Sequence, residues 1–197
     1  MSVEKTRFCA VDIETTGLDL KSDQIISFAC VPMAGARILV GEAYSTLIRP
    51  PRYKMVSMKY HGISERDLEQ APVFEEVADK ILEAANGILV GHSVGFDYDF
   101  LKRTFKAVKR DFKRDVLDIV CIERWLGRKT GRMGEDLSFE AVMHRYGLKE
   151  SYRHDALADA FFAAQIFQLE LHRLMEMGVH SLKQLKRAAC SYKYALW

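Results

Sequence analysis

Cysteine is scarce in this 197-residue chain, and the four present, Cys9, Cys30, Cys121 and Cys190, are scattered without a C-x-x-C pair. That spacing excludes a zinc ribbon and a disulfide framework, and leaves small apolar side chains in a reducing compartment. A hydrophobic leader is also lacking, since the chain opens Met1-Ser2-Val3-Glu4-Lys5, and no apolar run is long enough to span a bilayer. The expectation is therefore a cytoplasmic location with no membrane partner. Low-complexity tracts and linkers are missing as well. With 49% hydrophobic and 28% charged residues of both signs, the composition fits one globular domain over 1–197. Its core should lie at about 7–175, followed by a C-terminal helix and an aromatic tail at about 180–197.

A strong net charge is absent too, but the value of +2 conceals a division. Residues 1–100 carry 10 basic and 15 acidic side chains, and residues 101–197 carry 19 and 12, so the halves stand at −5 and +7. The second half is the better suited to an anionic partner. Its series Lys102, Lys106, Lys109, Lys113, with Arg103, Arg110 and Arg114 beside it, is spaced to follow one helical face and could track a phosphate backbone.

What is present begins with the apolar run Phe8-Cys9-Ala10-Val11-Asp12-Ile13-Glu14, which ends at Thr15-Thr16-Gly17. Side chains alternate along a strand, so Asp12 and Glu14 project to one face while Cys9, Val11 and Ile13 face the other. Two neighbouring carboxylates on a buried strand require a compensating cation, and a divalent metal is the natural candidate. Two more strands are expected at about 24–31 and 37–48, joined by a hairpin turn over 32–35, which favours an antiparallel start to the sheet. The stretch 52–72 reads as a loop holding His61, with Ser64 capping a short helix. A helix from 74, a buried strand at 88–90 and a second helix opening near Phe96 follow, and they place Asp97 in a first helical turn at the edge of the sheet. Residues 116–120 read as extended, leading into a helix through 126, and 127–136 as a polar loop. The last long helix, about 155–177, surrounds one carboxylate, Asp159, with Ala156, Ala158, Ala160, Phe161, Phe162, Ala163 and Ala164. At helical spacing His154 and Asp159 fall on different faces, so both reach one point only if His154 lies on the loop before the helix.

Singly, each feature has an ordinary explanation: a carboxylate at a helix start complements the dipole, and a buried aspartate can be satisfied by backbone donors. Together, and in order, Asp12-Ile13-Glu14-Thr15-Thr16-Gly17, then His92-Ser93-Val94-Gly95-Phe96-Asp97-Tyr98-Asp99-Phe100-Leu101, then His154-Asp155-Ala156-Leu157-Ala158-Asp159-Ala160 resemble the three motifs of the DEDDh, or DnaQ-like, 3′–5′ exonucleases. That family includes the proofreading subunit of bacterial replicative polymerase, oligoribonucleases and related trimming enzymes. The resemblance covers residues 7 to about 175. His154, five residues before Asp159, marks the histidine class, because the tyrosine class would carry tyrosine at position 155. Ser93 departs from the asparagine usual in the family, though serine can still cap the helix.

The resemblance implies an α/β, ribonuclease H-like mixed sheet, its first three strands antiparallel and later ones parallel, flanked by helices. It implies two divalent ions, Mg²⁺ or Mn²⁺, with Asp12, Glu14 and Asp159 on one, Asp12 bridging, and Asp97 on the second directly or through water. His154 is the implied general base. Thr15, Thr16, Gly17, Leu18, His61 and Ser93 are the implied substrate contacts, Leu18 wedging against the last base. The expected partner is a single-stranded or frayed 3′ end of DNA or RNA, with a polymerase or other protein as a further partner. A nucleic-acid-binding or scaffold module of the same fold with a vestigial site is the alternative.

Overall fold

The structure, a computed structural model, describes residues 1–149 and 154–189. The aromatic tail and Cys190 lie outside the described residues. Six strands form one sheet: β1 Arg7–Thr15, β2 Ile25–Ala34, β3 Arg37–Ile38, β4 Tyr44–Leu47, β5 Ile88–Gly91 and β6 Val116–Asp118. β1 sits between an antiparallel β2 and a parallel β5, β6 follows β5 in parallel, and β3 and β4 both pair antiparallel with β2. The antiparallel-then-parallel sheet is the one expected. The helices are α1 Met55–His61, α2 Glu65–Leu68, α3 Phe74–Ala84, α4 Gly95–Ala107, α5 Ile119–Thr130, α6 Phe139–Arg145, α7 Ala156–Glu176 and α8 Leu182–Ala188. Among the described residues no helix is long and apolar enough to cross a membrane.

The alternation along β1 divides the interior in two. Phe8 and Ala10 face a core shared with α5, α6, α7 and α8, whereas Cys9, Val11 and Ile13 join Phe74, Ile81, Phe100 and Phe105 from α3 and α4. Asp12 and Glu14, continuing the Phe8 side by the strand's period of two, therefore belong to the face that α7 covers. That helix presents Ala156, Ala160, Ala163 and Ala164 to the core. Small side chains let its backbone approach the sheet, and Phe167 then packs edge-on against Phe8 with ring centroids 5.0 Å apart.

Four expectations change. The strand expected over 37–48 is two short strands separated by a 3₁₀ turn, Val40–Glu42, where Gly41 weakens extended structure. The hairpin turn is confined to Gly35 and Ala36, because Pro32 stays inside β2 opposite Cys9, where its carbonyl accepts the N–H of Leu39. Gly35 has φ of +56°, and a Cβ there would stand 2.7 Å from the carbonyl oxygen of Glu4. Residues 55–61, read as loop, form α1. The basic series does not form one face, since α4 stops at Ala107 and Lys109 has a left-handed φ of +57°. Its arginines hold the fold together: Arg103 donates to the carbonyls of Leu20 and Asp23, Arg110 pairs with Asp79, and Arg114 donates to the carbonyls of Leu82 and Ala85.

Candidate active site

β1 brings Asp12 and Glu14 to the C-terminal edge of the parallel strands, and the start of α7 brings Asp159 to the same place. Asp155 caps α7 by accepting the Ala158 N–H at 2.9 Å. His154, just ahead of the cap, lies outside the helix with φ of +63°, and its backbone N–H donates to Asp159 Oδ2 at 3.2 Å. The left-handed turn folds the histidine back over its own helix, which a continuous helix would forbid. Ligand atoms of Glu14, His154 and Asp159 consequently lie within 4.8 Å of one another. Asp12, Glu14, His92, Phe139, His154 and Asp159 line one cleft of about 200 Å³. Two carboxylates and an imidazole converging at that separation are a donor set that fits a divalent cation.

Asp97 stands apart from this group. Past Ala10, where the pairing of β1 with β5 ends, Asp97 Oδ1 accepts the Ile13 N–H at 3.1 Å. The carboxyl is 7% exposed, and burial, reinforced by the like charge of Asp118, pushes its pKa up to about 8. Burial also raises Asp118, whose Oδ1 accepts the N–H groups of Ser93 and Val120.

The turn after β1 spends its hydroxyls on itself. Thr15 Oγ1 donates to the Gly17 carbonyl at 2.7 Å and Thr16 Oγ1 to Asp23 Oδ1 at 3.0 Å, while Leu18 is 84% exposed at the tip. His61 ends α1, and its Nδ1 accepts the Ile63 N–H at 3.0 Å, so Nε2 carries the hydrogen. Burial, and then the nearby charge of His154, holds its imidazolium below the usual range. Ser93 does not cap α4: the cap position is Val94, and no side chain bonds there. Instead Ser93 holds φ of +57°, a conformation in which asparagine is enriched, which gives a backbone reason for the asparagine usual at this position.

His92 lines the cleft, while Asp118 lies close enough to act on Asp97 and Asp23 holds the turn after β1, and none of the three is a candidate site residue on sequence grounds. His92 Nε2 donates to the Leu137 carbonyl at 2.7 Å, and its ring lies 5.1 Å from that of Phe139, which fixes one wall of the cleft. A histidine opening the second motif was the only signal for it. Asp118 and Asp23 had none.

Comparison with known proteins agrees with this geometry. A DNA polymerase III subunit epsilon-like protein of Rhodobacter capsulatus is 34% identical over 90% of the chain, and the chain spans 25% of that protein's length. The DNA polymerase III subunit epsilon of Aquifex aeolicus is 30% identical over 91% of the chain and 88% of its own length. In fold, the chain is similar to E. coli Exonuclease I in complex with a dT13 oligonucleotide, with a TM-score of 0.74 at 17% identity over 87% of this chain and 43% of that one. The RNase T exonuclease family model matches residues 9–167, which hold all three motifs and every residue that lines the cleft, and the chain belongs to that exonuclease family.

Proposed function

We propose that the protein is a divalent-metal-dependent 3′–5′ exonuclease that releases 5′-mononucleotides from single-stranded or frayed 3′ ends, with DNA the favoured substrate. The observation that carries this reading is the convergence of Glu14, His154 and Asp159, from opposite ends of the chain, beside Asp12 in one open cleft. The nucleic acid in the solved neighbour, a dT13 oligonucleotide, supports the substrate class.

Asp12, Glu14 and Asp159 would hold the cations, and Asp97 would join them once ionised. Mg²⁺ or Mn²⁺ bound there supplies neutralisation of the phosphate charge and lowers the pKa of the attacking water. His154, exposed at the mouth, takes the proton as water attacks phosphorus and the 3′-oxygen of the preceding nucleotide leaves. Leu18 packs against the last base. The His61 Nε2–H is buried without a hydrogen-bond partner among the described residues, which supports a role for it as a donor to the terminal nucleotide once substrate enters. Because the hydroxyls of Thr15 and Thr16 are already engaged and the Thr16 N–H is bonded to the Gln24 carbonyl, that turn contributes the backbone N–H groups of Gly17 and Leu18 instead. Names of relatives suggest a polymerase partner, which co-purification with a replicative polymerase would test.

The test is a time course on 5′-labelled DNA and RNA oligonucleotides with Mg²⁺, Mn²⁺ or EDTA. Stepwise shortening that needs metal and disappears in Asp12→Ala and Asp159→Ala is expected. Metal-independent cleavage, or full activity in either variant, refutes the assignment, and binding without cleavage favours the vestigial module.

A further inference from the structure

The turn after β1 and the start of α1 meet at one buried carboxylate. Asp23 is 3% exposed. Its Oδ2 accepts the Asp19 N–H at 2.9 Å, and its Oδ1 accepts the Thr16 hydroxyl at 3.0 Å and pairs with Lys54 Nζ at 2.5 Å. The turn closes directly on this group, because a Cβ at Gly17 would stand 2.5 Å from Asp23 Oδ2. From behind, Arg103 donates to the carbonyls of Leu20 and Asp23.

Lys54 is the residue on which α1 begins. That helix has little else to hold it down, since Ser57 is its one buried residue, and Met55 and Val56 are 76% and 75% exposed. An ammonium held against a buried, hydrogen-bonded carboxylate is a stronger and more directional tether than an exposed ion pair. At the far end of α1 sits His61, close enough to the cleft for the charge of His154 to act on it.

We infer that the Asp23–Lys54 ion pair is a positioning latch that sets α1 and His61 opposite the Thr15 to Leu18 turn, fixing the width of the slot that receives the terminal nucleotide. The inference rests on the exonuclease reading above and adds to it the device that spaces the two walls. Neither residue touches the reacting atoms.

Steady-state kinetics on a 5′-fluorescein-labelled single-stranded DNA oligonucleotide with Mg²⁺ test it in Asp23→Asn, Lys54→Met and Lys54→Arg. A slot of the wrong width loses binding common to ground and transition states, so KM rises about tenfold in Asp23→Asn and Lys54→Met while kcat stays within about twofold. Lys54→Arg, which keeps the pair, stays near wild type. The sign for Asp23→Asn is decisive. Removing a negative charge beside an anionic substrate would by charge alone lower KM, whereas a lost latch raises it. Should Asp23→Asn fail to fold, Lys54→Met carries the test, since the bonds from Thr16 and Asp19 survive in it. An unchanged or lower KM, or a fall in kcat at constant KM, overturns the latch while leaving the exonuclease reading intact. A wild-type protein with no metal-dependent degradation overturns the reading itself.

Discussion

Replacing Asp97 by asparagine should make the metal-free protein more stable at neutral pH while abolishing its activity. In the folded chain burial pushes this carboxyl up to about 8 from an ordinary 3.8, so the fold keeps a proton that the unfolded chain releases. A raised pKa contributes stability that is complete below pH 3.8 and is lost as pH climbs toward 8. Inside that window one proton separates the two states, and the loss amounts to about 1.4 kcal/mol per pH unit. Asparagine can still accept the Ile13 N–H through its Oδ1 but has no proton to lose, so this slope vanishes. Between pH 5 and pH 7 the wild type should lose about 3 kcal/mol relative to Asp97→Asn. For a chain of this size that is about 6–12 °C in Tm. Thermal unfolding by circular dichroism at pH 5, 6 and 7 in EDTA measures the difference directly. Asp118, also raised by burial, is present in both proteins and largely cancels. Added Mg²⁺ should raise the wild type more than the variant at pH 7, because the variant keeps Asp12, Glu14 and Asp159 but lacks the Asp97 carboxylate. Wild-type and variant Tm values that run parallel across this range would refute a protonated, buried Asp97.

Two further outcomes are expected. Gly17→Ala drives a methyl group to within 2.5 Å of Asp23 Oδ2, so the turn must open, and a loss of about 1–3 kcal/mol is expected in urea unfolding with a raised KM for oligonucleotide. Asp155→Ala removes the cap of α7 and should cost about 1 kcal/mol, read as a Tm lower by about 2–4 °C. Because His154 and Asp159 flank that cap, kcat should fall with it.

The parts legible in the sequence were those whose chemistry is local. Alternation along β1 put Asp12 and Glu14 on one face, and rotation per residue required His154 to leave the helix that carries Asp159. Both arguments need only backbone periodicity. α1 escaped notice because periodicity reveals a helix by the face it buries, and Met55, Val56 and Tyr60 face water. The split of 37–48 was hidden because propensity gives little warning of a 3₁₀ turn between two edge strands. Asp23 and Asp118 take their meaning from partners on other elements, Lys54 for one and Asp97 for the other, and no spacing records such meetings. Asp97 was rightly drawn to the edge of the sheet, but its bond to β1 past the point where the β5 pairing ends follows from how far β5 runs.

The alanines of α7 acquire a second meaning in this light. Ala160, Ala163 and Ala164 act as a feeler gauge between helix and sheet, setting the gap at the thinnest spacing side chains allow. Every methyl group added to that face would lift the whole rod, and Asp159 at its end would be carried away from Glu14. A conservative change such as Ala164→Val, at a buried position outside the lining of the cleft and chemically silent, should thus disable the site at a distance. The tolerances of the Glu14, His154 and Asp159 cluster are machined into the blandest residues of the chain.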